Sequence, residues 1–319
     1  MDAVLGIDIA KAKFDVALLS EGKLRRKSCP NTPAGFAELT QWLGRQGAPL
    51  VHASLEATGT YGDALAHYLH DAGHVVSVLN PAVTHAFAAS QLARAKTDRI
   101  DAELIARYTA TQHPAAWTPA PREVRDLQAL VRRLDALQGM KTQETNRLEA
   151  GPVVAAVRTS IETILATLTA EINAVQRQMR DHLDQHPGLR TQRDLLTSIP
   201  GIGEATAAVL IAELFDKRYR SARQAAAFAG VVPRVCESGT LRAHGRLAKI
   251  GPGRLRKALY FPALTALRFN PTLRALQIRL RAAGKPNMVI VGAAMRKLIH
   301  LAFGVLKSGR AYDATYARP

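Results

Sequence analysis

"AVLGIDIAKAKFDVALL", residues 3–19, reads as two short apolar strands, AVLGIDI and FDVALL, joined by the polar AKAK. LRRKSC (24–29) follows as a third strand, which makes an antiparallel meander. Thr32 before Pro33 signals a helix start, and that helix ends near Gly47. Next come a strand LVHASLE (50–56), a helix YGDALAHYLHDAG (61–73), a strand HVVSVLN (74–80) and a helix carrying AKTDRIDAEL (95–104). The order βββαβαβα predicts a three-layer α/β domain over residues 1–120.

Residues 121–190 change character. Val124, Leu127, Leu130, Val131, Leu134 and Leu137 recur at helical spacing, Gly151-Pro152 interrupts, and Val154, Val157, Ile161, Ile164, Leu168, Ile172, Val175 and Met179 resume it. This predicts a long helical hairpin or coiled-coil connector, either packed within one subunit or serving as an oligomerisation arm. Residues 191–319 read as mostly helical. Within them LLTSIPGIGEATAAVLIAEL (195–214) places two apolar helical stretches around a tight PGIG turn. Gly201 and Gly203 there suit a helix-hairpin-helix contact of backbone N–H groups with a DNA phosphate, or a plain sharp turn. The patch GVVPRVCESGTLRAHGRLAKIGPG (230–253) reads as a loop.

The formal net charge of +17 points to a polyanionic partner. It is also segregated: residues 191–319 hold 22 Lys and Arg against 6 Asp and Glu, while the rest of the chain is nearly balanced. The last segment is therefore the expected contact with a phosphate backbone. Cys29 and Cys236 lie far apart without Cys/His clustering, which argues against a disulfide framework or a structural zinc site. His67 and His70 share a helix face but lack a third ligand. The apolar runs are shorter than a membrane span and the start is unlike a signal peptide, so a cytoplasmic protein is expected.

Asp98 and Asp101 fall in the first turns of a helix capped by Thr97, where a spacing of three puts both carboxylates on one face. The helix dipole alone favours acids there. Asp8 is harder to account for, because a carboxylate inside an apolar strand is costly unless it is paired or binds a cation. With Glu56 at the end of its strand, four carboxylates would converge if the first and fourth strands were neighbours and the last helix packed across their ends. Such a set could hold one or two hard cations, Mg²⁺ being the natural candidate. Lys96 and Arg99 would flank it as phosphate contacts, and Asp15 reads as structural.

Together GIDIAKAKFDV, LEATGTYG, AKTDRIDAELIARY, IPGIGEATA and GVVPRVCESGTLRAHGRLAKIGPGRLRKAL resemble the Piv-type insertion-sequence transposases of the IS110 family, in order and along essentially the whole chain. The resemblance implies an N-terminal RuvC-like domain of ribonuclease-H fold with an Asp-Glu-Asp-Asp tetrad at Asp8, Glu56, Asp98 and Asp101. It implies a coiled-coil connector and a C-terminal transposase domain with a nucleophilic serine at Ser238. It also implies recombination of donor and target double-stranded DNA guided by a structured noncoding bridge RNA, in a homo-oligomer, dimer or tetramer. Around Ser238 the cations Arg234, Arg242, Arg246, Lys249, Arg254 and Arg256 could neutralise a scissile phosphate.

A RuvC-like junction nuclease would use the same four acids with water in place of the serine. A noncatalytic architectural or RNA-binding protein would account for the charge but not for Asp8. An actin-like ATPase or sugar kinase shares the look of the first strands but lacks a second Asp-Gly-Gly-type nucleotide loop. Tyr61 lacks the Arg-His-Arg surroundings of a tyrosine recombinase.

Overall fold

The computed structural model describes residues 3–57, 59–91, 98–151, 154–215, 219–234, 237–238, 241–242, 246–248 and 250–316; of these, the side chains of 98, 99, 215, 234, 237, 238, 241, 242, 246 and 316 lie outside the description. The chain divides into two compact units, Met1–Pro119 and Ala120–Pro319.

In the first unit β1 (Ala3–Ile9), β2 (Lys13–Ser20) and β3 (Lys23–Pro30) form the expected meander. β4 (His52–Glu56) and β5 (Val75–Leu79) then join in parallel on the other side of β1, giving the order β3-β2-β1-β4-β5. Period-two alternation separates two faces. Leu5, Ile7, Val16, Leu18, Ala53 and Leu55 face one way, where Phe36, Leu39 and Leu43 of α1 (Pro33–Arg45) and Leu65 and Leu69 of α2 (Asp63–Asp71) cover them. Thr32 caps α1 with its hydroxyl and Pro33 fixes the first turn, as the sequence signals. On the opposite face lie Gly6, Asp8 and Ala17, covered by α4 (Asp98–Gln112), whose Ala102 and Ala106 pack against Ala17. Between β5 and α4 the chain forms a further helix, α3 (Pro81–Ser90), which the periodicity did not reveal; Asn80 caps it by accepting from the Ala82 N–H.

The second unit opens with the long hairpin of α5 (Arg122–Glu149) and α6 (Ala155–Gln185). Its stripe of Val124, Leu127, Val131, Leu134, Leu168, Ile172, Val175 and Met179 belongs to the same core as the helices that follow. The expected boundary near residue 190 is therefore not a break in packing: the connector's base and the C-terminal segment share one core. Those helices are α7 (Pro187–Thr197), α8 (Glu204–Leu210) continued by a π-helical turn (Ile211–Phe215), α9 (Ala222–Phe228), α10 (Gly253–Phe269), α11 (Pro271–Ala282) and α12 (Asn287–Ser308). α12 corrects one expectation, since it is long and apolar enough to cross a membrane. Half of that apolar stretch is instead buried in this core, against α7, α9, α10 and α11.

In the patch expected to be a loop the described residues form two short antiparallel pairs, an interrupted β-ribbon: β6 (Pro233–Arg234) pairs with β9 (Arg246–Leu247), and β7 (Glu237–Ser238) pairs with β8 (Leu241–Arg242).

Candidate active site and nucleic-acid interface

Asp8 stands near the C-terminal end of β1, directly across from Asp15 in the antiparallel register with β2. On the other side, β1 and β4 run parallel with Ile7 beside Leu55, so the next step of the register sets Asp8 alongside Glu56. Side chains in register share a face, and this face is the one α4 covers. The juxtaposition of the first and fourth strands, expected from the two acids, is thus present. Asp15 is 5% exposed and accepts a hydrogen bond from Lys13 Nζ at 2.8 Å, a local ion pair that accounts for its burial. Glu56 accepts from the Thr84 hydroxyl of α3, which fixes the carboxylate at the strand end. Sequence reasoning missed Thr84; the Asn80-Pro81 helix start was the signal that a helix lies there.

Gly6 sets how closely α4 can approach. A Cβ at this position would lie 2.1 Å from the Ala102 carbonyl oxygen and 2.3 Å from the Ala106 nitrogen. Only glycine allows the helix backbone to rest on the strand, two residues before Asp8. Asp98 and Asp101 occupy the first turns of this helix. Arg26 of β3 and Arg107 hold Glu103 of α4 at 2.6 and 2.8 Å. Burial works against that charge, but the two guanidinium hydrogen bonds outweigh it and lower the Glu103 pKa. Lys96 and Thr97 lie outside the described residues, as do the side chains of Asp98 and Arg99. Among the described residues, no three His, Cys, Asp or Glu side chains form a metal-binding cluster. Asp8 and Glu56, on neighbouring strands, carry oxygen donors of the kind a hard divalent cation takes.

In the second unit Ser238 occupies the strand position paired with Leu241, beside the Glu237 and Arg242 pair, and Arg234 pairs with Arg246 at the ribbon base. Those side chains, and all of Lys249, lie outside the described residues. Two expected phosphate contacts already hold partners within the unit. Arg254 donates to Asp135 of α5 at 3.1 Å and to Glu213 of the π turn at 2.8 Å, and Lys257 reaches the other oxygen of Asp135 at 2.8 Å. These contacts pin α10 to the hairpin. Arg256 donates to the Gly251 carbonyl at 2.9 Å and so braces the turn before α10. The PGIG turn also divides its glycines. Gly201 has φ +108° and a Cβ there would meet Ala266 Cβ at 2.6 Å, so its need for glycine comes from packing on α10. Gly203 has open space around it.

A family model described as a transposase, of the DEDD type, matches residues 5–151, and a second, described as transposase of the IS116/IS110/IS902 family, matches residues 193–277. The chain is 32% identical to the pilin gene-inverting protein of Moraxella bovis over 314 residues, covering 97% of each chain. It is 25% identical to the transposase for insertion sequence element IS1328 of Yersinia enterocolitica, covering 97% of this chain and 98% of that one. With both halves matched in order and a relative this similar along nearly its whole length, the chain belongs to the IS110 family of transposases.

Proposed function

We propose that the protein is a DNA recombinase in which the carboxylates of a RuvC-like first unit and Ser238 of the second act together on one phosphodiester. The observation that carries this reading is the placement of Asp8 beside Glu56 on adjacent parallel strands, under a helix whose first turns contain Asp98 and Asp101 and which is seated on Gly6. The mixed sheet order supports the ribonuclease-H-type assignment. Asp8, Glu56, Asp98 and Asp101 would hold one or two Mg²⁺ ions, which in such sites activate an attacking oxygen and stabilise a leaving one. Ser238 Oγ forms a bond to phosphorus as a deoxyribose oxygen leaves, and the reverse step on a second strand reseals DNA without net hydrolysis. Arg234, Arg242, Arg246 and Lys249, on the same ribbon, would neutralise that phosphate; Arg254 and Arg256 are omitted because they are engaged internally. A structured RNA pairing with donor and target DNA would supply the sequence choice.

A homo-oligomer is supported by the outer half of the α5–α6 hairpin, where Met140, Val154, Val157 and Ile164 are exposed. In such an assembly one subunit's carboxylates can serve another's serine.

The test is to trap protein–DNA adducts on a denaturing gel with wild type, Ser238→Ala and Glu56→Gln. Ser238→Ala is expected to lose the adduct and strand exchange while binding DNA as before, and Glu56→Gln to lose Mg²⁺-dependent activity. Cleavage without any adduct would favour a water-using junction nuclease. Normal strand exchange by Ser238→Ala would refute the serine mechanism. Sequencing the RNA that copurifies tests the guide: one enriched transcript supports it and an unenriched mixture refutes it.

A further inference from the structure

From residue 238 through residue 312 the chain contains no Asp or Glu, a stretch that includes α10, α11 and α12. Lys257, Phe261, Leu264 and Arg268 recur at spacings of four, three and four, which is one helix face, and all four are exposed. Phe261 is 72% exposed and Phe269, at the end of the same helix, 61%. The Arg268 guanidinium lies 5.2 Å from the Phe269 ring centroid. Phe261 packs edge-on to Tyr260, with ring centroids 5.3 Å apart, at the mouth of a cleft of about 370 Å³ between α10 and α12. Leu247, Met288, Val291 and Met295 line that cleft, and Leu247 belongs to β9 at the root of the ribbon that carries Ser238.

An apolar slot with an exposed ring at its mouth, on helices that carry no carboxylate of their own, suits a ligand with a flat apolar body on an anionic chain; the nearest acid on this face, Asp135 of α5, is held by Lys257 and Arg254. We propose that this cleft receives an unpaired nucleobase, stacked on Phe261, from a strand whose phosphates run over Arg268 and the exposed Arg274, Arg279 and Arg281 of α11. The inference rests on the nucleic-acid reading above and adds a subsite to it. A second copy of the chain is a poorer occupant, because a two-fold contact through this face would oppose two surfaces rich in arginine, whose one neighbouring acid, Asp135, is already paired.

Full-length protein is titrated with two oligonucleotide probes carrying 2-aminopurine, one with the analogue in a fully paired duplex and one with it unpaired. Each probe is made in DNA and in RNA form to identify the source of the strand. Wild type is expected to change the emission of the unpaired probe and to bind it more tightly than the paired one. Phe261→Ala should weaken binding of the unpaired probe roughly ten-fold while leaving the paired duplex unchanged, and Phe261→Trp should restore the preference. Equal loss on both probes, or no loss on either, overturns the subsite. So does a Phe261→Ala variant that shifts a sedimenting dimer to monomer with its probe preference intact. Failure of wild type to bind any probe would instead sink the nucleic-acid reading itself.

Discussion

Replacing Gly6 by alanine tests the geometry on which the proposed site depends, at a residue that carries no chemistry. The new Cβ would sit 2.1 Å from the Ala102 oxygen, where an ordinary contact needs 3.4 Å, so α4 must retreat by the difference, about 1.3 Å. The opposing atoms are helix backbone and cannot rotate away. Overpacking of this kind costs about 1–3 kcal/mol, and a backbone clash on this scale belongs at or above the top of that range. Because α4 carries Asp98 and Asp101, a shift of ~1 Å also misplaces two of the four carboxylates, which can lower a rate about 100-fold. Hydrogen exchange on the full-length variant should show lost protection of the α4 amides with α10, in the other unit, as internal control. Plasmid recombination measured in parallel should fall while DNA binding through the basic segment persists. Wild-type protection of α4 together with wild-type recombination would refute both the close seating of α4 and its role in placing the acids.

Two further substitutions probe the second unit. Gly201→Ala forces a positive φ on a residue with a Cβ and pushes it onto Ala266, so thermal unfolding should show a loss of ~1–3 kcal/mol, whereas Gly203→Ala, with φ −94° and open space, should stay within about 0.5 kcal/mol. Asp135 has its pKa held low, first by the hydrogen bond from Lys257 and then by that from Arg254. A depressed carboxyl contributes stability that is present above its unfolded value of about 3.9 and is lost as pH falls through the lower folded value. Urea midpoints measured from pH 5 down to pH 2.5 should therefore drop less steeply for Asp135→Asn than for wild type; parallel curves would show that the network contributes nothing to acid sensitivity.

The sheet is legible because β1, β2, β4 and β5 are short, largely apolar and set off by polar or turn residues, and Asp8 stands out because a carboxylate in such a strand needs a partner. Glu56 was readable for a related reason, as the polar end of an apolar run. α3 was not, since PAVTHAFAAS is small and apolar on most sides and presents no polar face to set a period. Thr84 went unseen with it, because its link to Glu56 spans 28 positions and depends on where the helix is laid. The strands around Ser238 look like loop in sequence because each paired segment is two residues long, too short for any alternation.

Charge shows the same division between what composition contains and what only tertiary structure decides. Counting cations placed the phosphate contacts near Ser238 and included Arg254 and Arg256, but a count cannot tell whether a guanidinium faces water or a distant acid. Arg254 finds Asp135 and Glu213, 119 and 41 positions away, and Lys257 shares the first of these. One of the segment's 6 acids, Glu213, is thereby buried at 9% exposure and neutralises cations inside the unit, and the hairpin lends a second through Asp135. The positive field felt by a partner then arises from side chains such as Arg268, Arg274, Arg279, Arg281 and Lys285, which are exposed on α10, α11 and the turn after them. A strand drawn to that surface meets Phe261 and the cleft beside it on the same side of α10 as Arg268, so the electrostatic and apolar features describe one interface rather than two.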